Sequence, residues 1–165
     1  MTLNHKSIEE AYNLINKKII KTPLVSNDYI NNLLNAEIYF KLENLQSTGS
    51  FKLRGATHKI LKSLNDILEN GVVAYSSGNH AQAVAFSASQ NNLSAKIIMP
   101  KNAPQIKIEN TKKYGAEVIL YDTYFQNREE IGNEIQKKDN RALIKPYDDE
   151  DIIAGQGTAA IEIVN

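Results

Sequence analysis

Val72-Val73-Ala74-Tyr75-Ser76-Ser77-Gly78-Asn79-His80-Ala81 is the stretch on which the reading of the fold turns. Four apolar residues, two of them β-branched, read as a short buried strand. The polar turn Ser76–His80 follows at once, and Ala81 to Gln90 reads as a helix of small residues. The alternation continues downstream. Ala95 to Met99 is a strand closed by Pro100. A helix runs from Ala103-Pro104 to about Tyr114, with Pro104 near its first turn, where proline is tolerated. Gly115 stops it, and Glu117 to Tyr121 is the third strand. Thr123 to Lys138 reads as a helix with Phe125, Ile131 and Ile135 on one side. Ala142 to Ile144 is a fourth strand, closed by Lys145-Pro146. This pattern predicts βαβ units, a mainly parallel open sheet and right-handed crossovers. Ligands of such sheets sit beyond the carboxyl ends of the strands, which is where Ser76–His80 falls.

Upstream, Ser7 to Ile20 reads as a helix. Ser7 and Glu10 have capping-box spacing, and Ile8, Ala11, Tyr12, Ile15 and Ile19 recur at helical intervals. Thr22-Pro23-Leu24 begins an extended segment. Tyr29 to Leu34 is a short helix started by Asn27 or Asp28. Ala36 to Leu42 alternates as a strand, with Ile38, Phe40 and Leu42 on one face. Gln46 to Ser50 reads as a polar loop and Phe51 to Leu64 as a helix carrying Lys52 in its first turn. His58, inside it, reads as a packing or surface residue. Asp148 to Asp151 is an acidic loop, and from Asp151 or Gly157 the helical pattern runs to Asn165. The expected organisation is residues 1–70 as the first part of a larger domain, 71–147 as a small α/β domain, and 148–165 as a return to the larger one. The pattern ends inside a helix, which reads as the N-terminal piece of a longer protein.

The 165 residues suffice for one core, or for a domain and part of another. Lys and Arg together number 19, as do Asp and Glu. A balanced charge gives no electrostatic case for nucleic acid or an anionic membrane. The chain has no cysteine, which excludes disulfides and thiolate chemistry and fits a cytoplasmic enzyme. No apolar run approaches the roughly 20 residues of a spanning helix, and residues 1–20 do not read as a signal peptide.

Lys52 lies in Ser50-Phe51-Lys52-Leu53-Arg54-Gly55, with Gly49 and Gly55 at either end. An exposed lysine has a pKa of roughly 10.4. Desolvation or a neighbouring cation, here Arg54, would free its amine for Schiff-base chemistry with a carbonyl. The plainer reading is a solvated lysine at a helix start. Ser76–His80 offers backbone N–H groups at a helix N-terminus, with two hydroxyls and a carboxamide, to a phosphate or a carboxylate. The plainer reading there is a polar N-cap. His80 by itself reads as a structural histidine, and no metal site is expected because no ligand partner lies at suitable spacing. Gly155-Gln156-Gly157-Thr158 reads as a glycine-containing turn before a helix. It fits neither the phosphate-loop nor the dinucleotide fingerprint.

Five motifs then stand in order: Thr22-Pro23-Leu24, Lys41-Leu42-Glu43, Thr48 to Ala56, Ser76 to Gln82, and Ile153-Ala154-Gly155-Gln156-Gly157-Thr158. Together they resemble the fold-type II pyridoxal-phosphate enzymes, in particular the threonine dehydratase and serine racemase group. The resemblance covers nearly the whole chain. It implies a tryptophan-synthase-β-like α/β fold and pyridoxal 5′-phosphate as cofactor. It assigns Lys52 as the Schiff-base residue and Cα-proton base, Phe51 as a flank of the cofactor ring, and Asn79 as hydrogen-bond partner of its phenolic oxygen. Ser76, Ser77, Gly78, Asn79 and His80 fall in the loop that holds the substrate carboxylate, and Ser77 matches the second acid/base of the racemases. The implied activity of the full-length protein is deamination of L-threonine or L-serine to a 2-oxo acid and ammonia, with a homodimer as the assembly. Racemisation of serine or a related amino acid is the alternative. An alternative of another class is a catalytically incompetent α/β module. No Gly-Gly pair occurs in the chain, so the glycine-rich phosphate cup that the resemblance calls for is not in this stretch. These 165 residues by themselves are expected to be inactive.

Overall fold

The structure is a computed structural model that describes residues 3–67 and 69–164. Helix α1 (His5–Ile15) leads to strand β1 (Leu24–Ser26), helix α2 (Asp28–Leu34) and strand β2 (Tyr39–Lys41). A 3₁₀ turn (Glu43–Leu45) precedes α3 (Lys52–Lys62) and α4 (Leu64–Ile67). Then come β3 (Val72–Tyr75), α5 (Asn79–Ser89), β4 (Ala95–Pro100), α6 (Gln105–Lys113), β5 (Glu117–Tyr121), α7 (Arg128–Asp139), β6 (Ala142–Leu143) and α8 (Glu150–Val164). Asn165, the end of the expected last helix, lies outside the described residues.

The last four strands form one parallel sheet in the order β5-β4-β3-β6. From β3 the chain steps outward through β4 to β5, then returns to add β6 on the other side of β3. The junction of β3 and β6 is thus a topological switch point, where open α/β sheets present a crevice. β3 is buried on both faces, as a central parallel strand should be. Val72 and Ala74 pack with Ile97, Met99, the alanines of α5 and Leu53 and Ile60 of α3. Val73 and Tyr75 pack on the other face with Ile98, Tyr121 and, from α7, Ile131 and Ile135. Burying each large aliphatic side chain contributes roughly 1.5–3 kcal/mol. β1 and β2 form a separate antiparallel pair, Val25 opposite Phe40.

α3 and α8 cross in close contact. A Cβ at Gly155 would stand 2.6 Å from Gly55 Cα and 2.9 Å from the Arg54 carbonyl oxygen. Beside this crossing Arg54, fully buried, joins three parts of the chain. Its Nε and one Nη bond the Glu43 carboxylate at 2.9 and 2.7 Å. Its two Nη atoms reach Glu162 of α8 at 2.9 and 2.8 Å. Lys41 Nζ adds a 2.6 Å bond to Glu162, and Thr22 Oγ1 donates to Glu43 at 2.6 Å. Desolvation pushes both carboxyls up, but the Arg54 hydrogen bonds, with Thr22 on Glu43 and Lys41 on Glu162, hold both below the usual range.

Several local expectations are corrected. The cap of α1 is Asn4, and Ser7 is its reciprocal partner three residues on. The helix ends at Ile15, because Ile20 is drawn away by two hydrogen bonds to the Gln46 side chain, 2.9 and 2.8 Å. The polar loop Gln46–Ser50 is accordingly buried at Gln46, Thr48 and Ser50. Phe40 lies exposed, not on a buried face. α7 starts at Arg128, not Thr123, since Asp122 bonds Tyr124 N, Gln126 bonds Asp122 N and Asn127 supplies the cap. Such local side-chain bonds compete with helix. Phe125 is therefore outside the helix and 87% exposed, beside Tyr124. Gly155-Gln156-Gly157-Thr158 is not a turn but the middle of α8, where its glycines admit α3 on one side and Ile8 of α1 on the other.

Replacing Gly155 tests the crossing. Gly155→Ala is expected to lower stability by about 1–3 kcal/mol, since the contacts are with the backbone and a Cβ of α3, which cannot give way as a flexible side chain would, and this outweighs the gain in helix propensity. At Gly157, in the same helix, an added Cβ would meet only the Ile8 side chain, at 3.0 Å, which can give way, so Gly157→Ala is expected to cost less than about 1 kcal/mol. Urea denaturation of both variants measures the difference. Equal losses would contradict the packing described.

Candidate active site

Lys52 opens α3 and its side chain is half-buried. Nζ donates to the Pro146 carbonyl at 2.7 Å and stands 5.4 Å from the centre of the Phe51 ring. Burial lowers its pKa below the usual lysine value. Arg54, the expected cause in the sequence, plays no part. It points away into the carboxylate network, and desolvation alone accounts for the shift. Gln156 of α8 braces the start of α3: its Oε1 accepts from Gly55 N at 3.2 Å and its Nε2 donates to the Lys52 carbonyl at 3.4 Å.

The Ser76–His80 turn leaves the carboxyl end of β3 and becomes the N-terminus of α5. Gly78 stands at the cap position with no side-chain cap, so the plain N-cap reading is not what the turn does. Ser76 Oγ accepts from Gly78 N at 3.2 Å, while Ser77 and Asn79 are exposed. Asn79 Oδ1 accepts from Lys107 Nζ at 2.7 Å. That bond orients the carboxamide and leaves its NH₂ free to donate.

His80 behaves differently from its neighbours. Its side chain is buried, and Nε2 lies 3.1 Å from the Ile144 carbonyl. A carbonyl only accepts, so Nε2 carries the proton and Nδ1 the lone pair. Nδ1 is buried without a partner among the described residues. Burial, with a smaller push from the Lys52 charge, takes the His80 pKa down to about 4 despite the Ile144 bond. The segment after β6 thus uses two carbonyls, Ile144 and Pro146, to hold the imidazole and the lysine amine together. His58, away from this crevice, is buried, and its Nδ1 lies 2.7 Å from the Asp151 carbonyl.

Three contributors carried no sequence signal. The Ile144–Pro146 carbonyls belong to the backbone, and Lys145-Pro146 reads only as the end of a strand. Lys107 meets Asn79 across 28 residues. Arg128, half-buried, lies 5.5 Å from the Tyr75 ring centre and donates to Tyr147 Oη at 3.2 Å. It has no carboxylate partner among the described residues, and it sits beside Tyr75, the residue before Ser76.

The arrangement suits an aldehyde-bearing cofactor. It presents a lysine amine with a lowered pKa next to an aromatic ring, and an amide donor already oriented. Backbone at Gly78 faces open space, and buried hydroxyls of Thr48 and Ser50, just before Lys52, lack partners. No group of three or more acidic or histidine side chains among the described residues is placed to hold a metal.

A parallel α/β sheet with a lysine and a polar strand-to-helix turn at its switch point defines a class of enzymes, and comparison with known proteins identifies the family. The family profile described as pyridoxal-phosphate dependent enzyme matches residues 15–165, and the chain belongs to that family. It is 46% identical over 155 residues to L-threo-3-hydroxyaspartate ammonia-lyase of Saccharomyces cerevisiae, covering 94% of this chain and 48% of that protein. It is 42% identical over 159 residues to a catabolic L-threonine dehydratase of Staphylococcus aureus, covering 96% and 46%. The crystal structure of serine racemase from Dictyostelium discoideum superposes with a TM-score of 0.93 at 40% identity, covering 99% of this chain and 53% of that one. The chain spans about half the length of the curated relatives it matches. The expected fold class is therefore met, and the family's cofactor is pyridoxal 5′-phosphate.

The His80 environment makes stability depend on pH. An unfolded histidine titrates near 6.5 and the folded one near 4. Protons therefore favour the unfolded chain between these values. The stability contributed by neutral His80 is complete above about 6.5 and is lost as pH falls towards 4. His80→Gln, which keeps an N–H for Ile144, is expected to flatten the slope of unfolding free energy in that window. Urea melts across mildly acidic pH measure it, and an unchanged slope would contradict the assignment. Buried His58, also shifted down, leaves a residual slope in the same sense.

Proposed function

We propose that this chain is the lysine-bearing part of an ammonia-lyase that deaminates a hydroxy amino acid, L-threonine or L-serine, to a 2-oxo acid and ammonia. One observation carries the reading: the half-buried Lys52 amine at the switch point, its pKa lowered by burial, held 2.7 Å from the Pro146 carbonyl. Lys52 is proposed to anchor the cofactor and to take the Cα proton. Phe51 would flank the cofactor ring, and Asn79, oriented by Lys107, would donate to its phenolic oxygen. The backbone of Ser76–His80 receives the substrate carboxylate, with the positive end of α5 behind it. The cofactor, when bound, supplies an electron sink for the charge that develops at Cα. Loss of the Cα proton to Lys52 and of the β-hydroxyl removes one water. Addition of water then releases ammonia. A positioned base of this kind contributes typically 10²–10⁴-fold.

A racemase is the second reading, favoured by the exposed Ser77, whose hydroxyl would serve the opposite face of the substrate. Arg128 adds a preference within either reading. An oriented guanidinium without a carboxylate partner suits a substrate with a second carboxylate, as the name of the yeast relative also suggests. The proposal includes a cytoplasmic homodimer for the full-length enzyme. Among the described residues no helix is long and apolar enough to cross a membrane. The exposed Tyr29, Leu33, Leu34 and Tyr39 of α2 and the β1–β2 pair offer surface for further protein contact.

In the full-length protein Lys52→Ala is expected to abolish both the visible absorbance of the bound cofactor and deamination. Retained turnover would remove Lys52 from its role. Ser77→Ala is expected to eliminate D-serine formation while retaining much of the pyruvate formation, read by a chiral assay beside a pyruvate assay. Undiminished racemisation rules Ser77 out as the second base, and equal loss of both activities makes it a binding residue. Arg128→Met is expected to raise KM about ten-fold or more for 3-hydroxyaspartate and far less for serine. Equal changes would discard the second-carboxylate preference.

A further inference from the structure

Away from the lysine crevice, α1, α3 and the start of α8 enclose a half-open cavity of about 270 Å³. It is smaller than the roughly 300–1,000 Å³ of drug-sized sites, which suits a small metabolite. Leu3, Leu14 and Ala154 form its apolar wall. His58 lies in its floor, six residues and so about 9 Å along α3 from Lys52.

The polar groups are of two kinds. His58 Nδ1 lies 2.7 Å from the Asp151 carbonyl and must carry the ring proton. Nε2 is therefore a lone-pair acceptor, it has no partner among the described residues, and the His58 ring lines the cavity. Burial holds this imidazole neutral by lowering its pKa. The carboxylates of Glu10 and Glu150 stand on the same wall. Glu10 has only a loose 3.9 Å pairing with Lys6. Glu10 and His58 Nε2 call for a cationic N–H donor. Lys62 supplies the opposite kind. It gives one bond to Asp151 Oδ1, at 2.5 Å, and its ammonium has two more hydrogens.

We propose that this cavity is a second small-molecule site, for a free α-amino acid with an aliphatic side chain. The ammonium would meet Glu10 and His58 Nε2, the carboxylate would meet Lys62, and the side chain would lie on Leu3 and Leu14. Asp151 and Ala154 belong to the first turns of α8, and Gln156 of the same helix braces Lys52 and Gly55. A bound amino acid therefore bears on the helix that supports the lysine. The site is independent of the role of Lys52.

The test is titration of the full-length protein with L-leucine, followed by NMR of the His58 ring and the Leu3 and Leu14 methyls. Isocaproate, which lacks the ammonium, and isoamylamine, which lacks the carboxylate, are the comparison ligands. Saturable shifts with L-leucine are expected, with each comparison ligand weaker by about ten-fold or more. Glu10→Gln and Lys62→Met should each weaken L-leucine to a similar degree. Both side chains are more than half exposed, so neither change threatens the fold. Lys52→Ala should leave the binding unchanged. The proposal is overturned by the absence of saturable shifts, by binding that both substitutions leave intact, or by binding lost with Lys52→Ala, which would place the ligand in the lysine crevice.

Discussion

The arginine at the centre of the molecule sets most of its geometry. Arg54 is fully buried, and its guanidinium is saturated by two carboxylates from distant parts of the chain. Glu43 belongs to the turn after the β1–β2 pair and Glu162 to the last helix. Removing one partner of such a network typically costs about 3–5 kcal/mol, because charges would be left buried and unpaired. The network is also selective in direction. A guanidinium fork accepts two carboxylates only in its own plane, so α8 can lie on α3 in one register. That register places Gly155 against Gly55, and it places Gln156 where it can hold the carbonyl of Lys52.

The chemistry then follows from where the lysine emerges. α3 packs on the same face of the sheet as α5, and its first turn reaches the gap between β3 and β6. In that gap the carbonyls after β6 are the nearest acceptors, and they take the amine and the imidazole side by side. An ammonium is poorly solvated there, and a backbone carbonyl compensates less than a carboxylate would. The amine is therefore easier to deprotonate than an exposed lysine. Among the described residues no acidic side chain is paired with it, which would act in the opposite sense. His80 remains neutral for the same reason and adds no fixed charge next to the Lys52 amine at neutral pH.

Much of this was legible in the order of residues. The alternation of Val72–Tyr75, Ala95–Pro100 and Glu117–Tyr121 with intervening helices defines a parallel sheet, because a strand buried on both faces must be apolar throughout. Lys52, Ser76, Ser77, Gly78, Asn79 and His80 were recognisable as a set, since turn and helix-start chemistry is local. Local reasoning failed where a distant partner outbid it. Gln46 took Ile20 out of the first helix, Arg54 turned to Glu162 across 108 residues, and a glycine pair that looked like a turn became the middle of a helix.

Residue order alone specified the sheet, the family and the candidate site residues. Periodicity, glycine and proline positions, and side-chain functional groups act within a few residues of themselves. The tertiary structure alone decided which atoms meet. It chose the Pro146 carbonyl for Lys52, the Ile144 carbonyl for His80, Lys107 for Asn79, and the tyrosines for Arg128. Backbone carbonyls leave no mark in the sequence, and pairings between remote elements depend on the order of strands and the crossing of helices. Those are settled by packing the whole core at once.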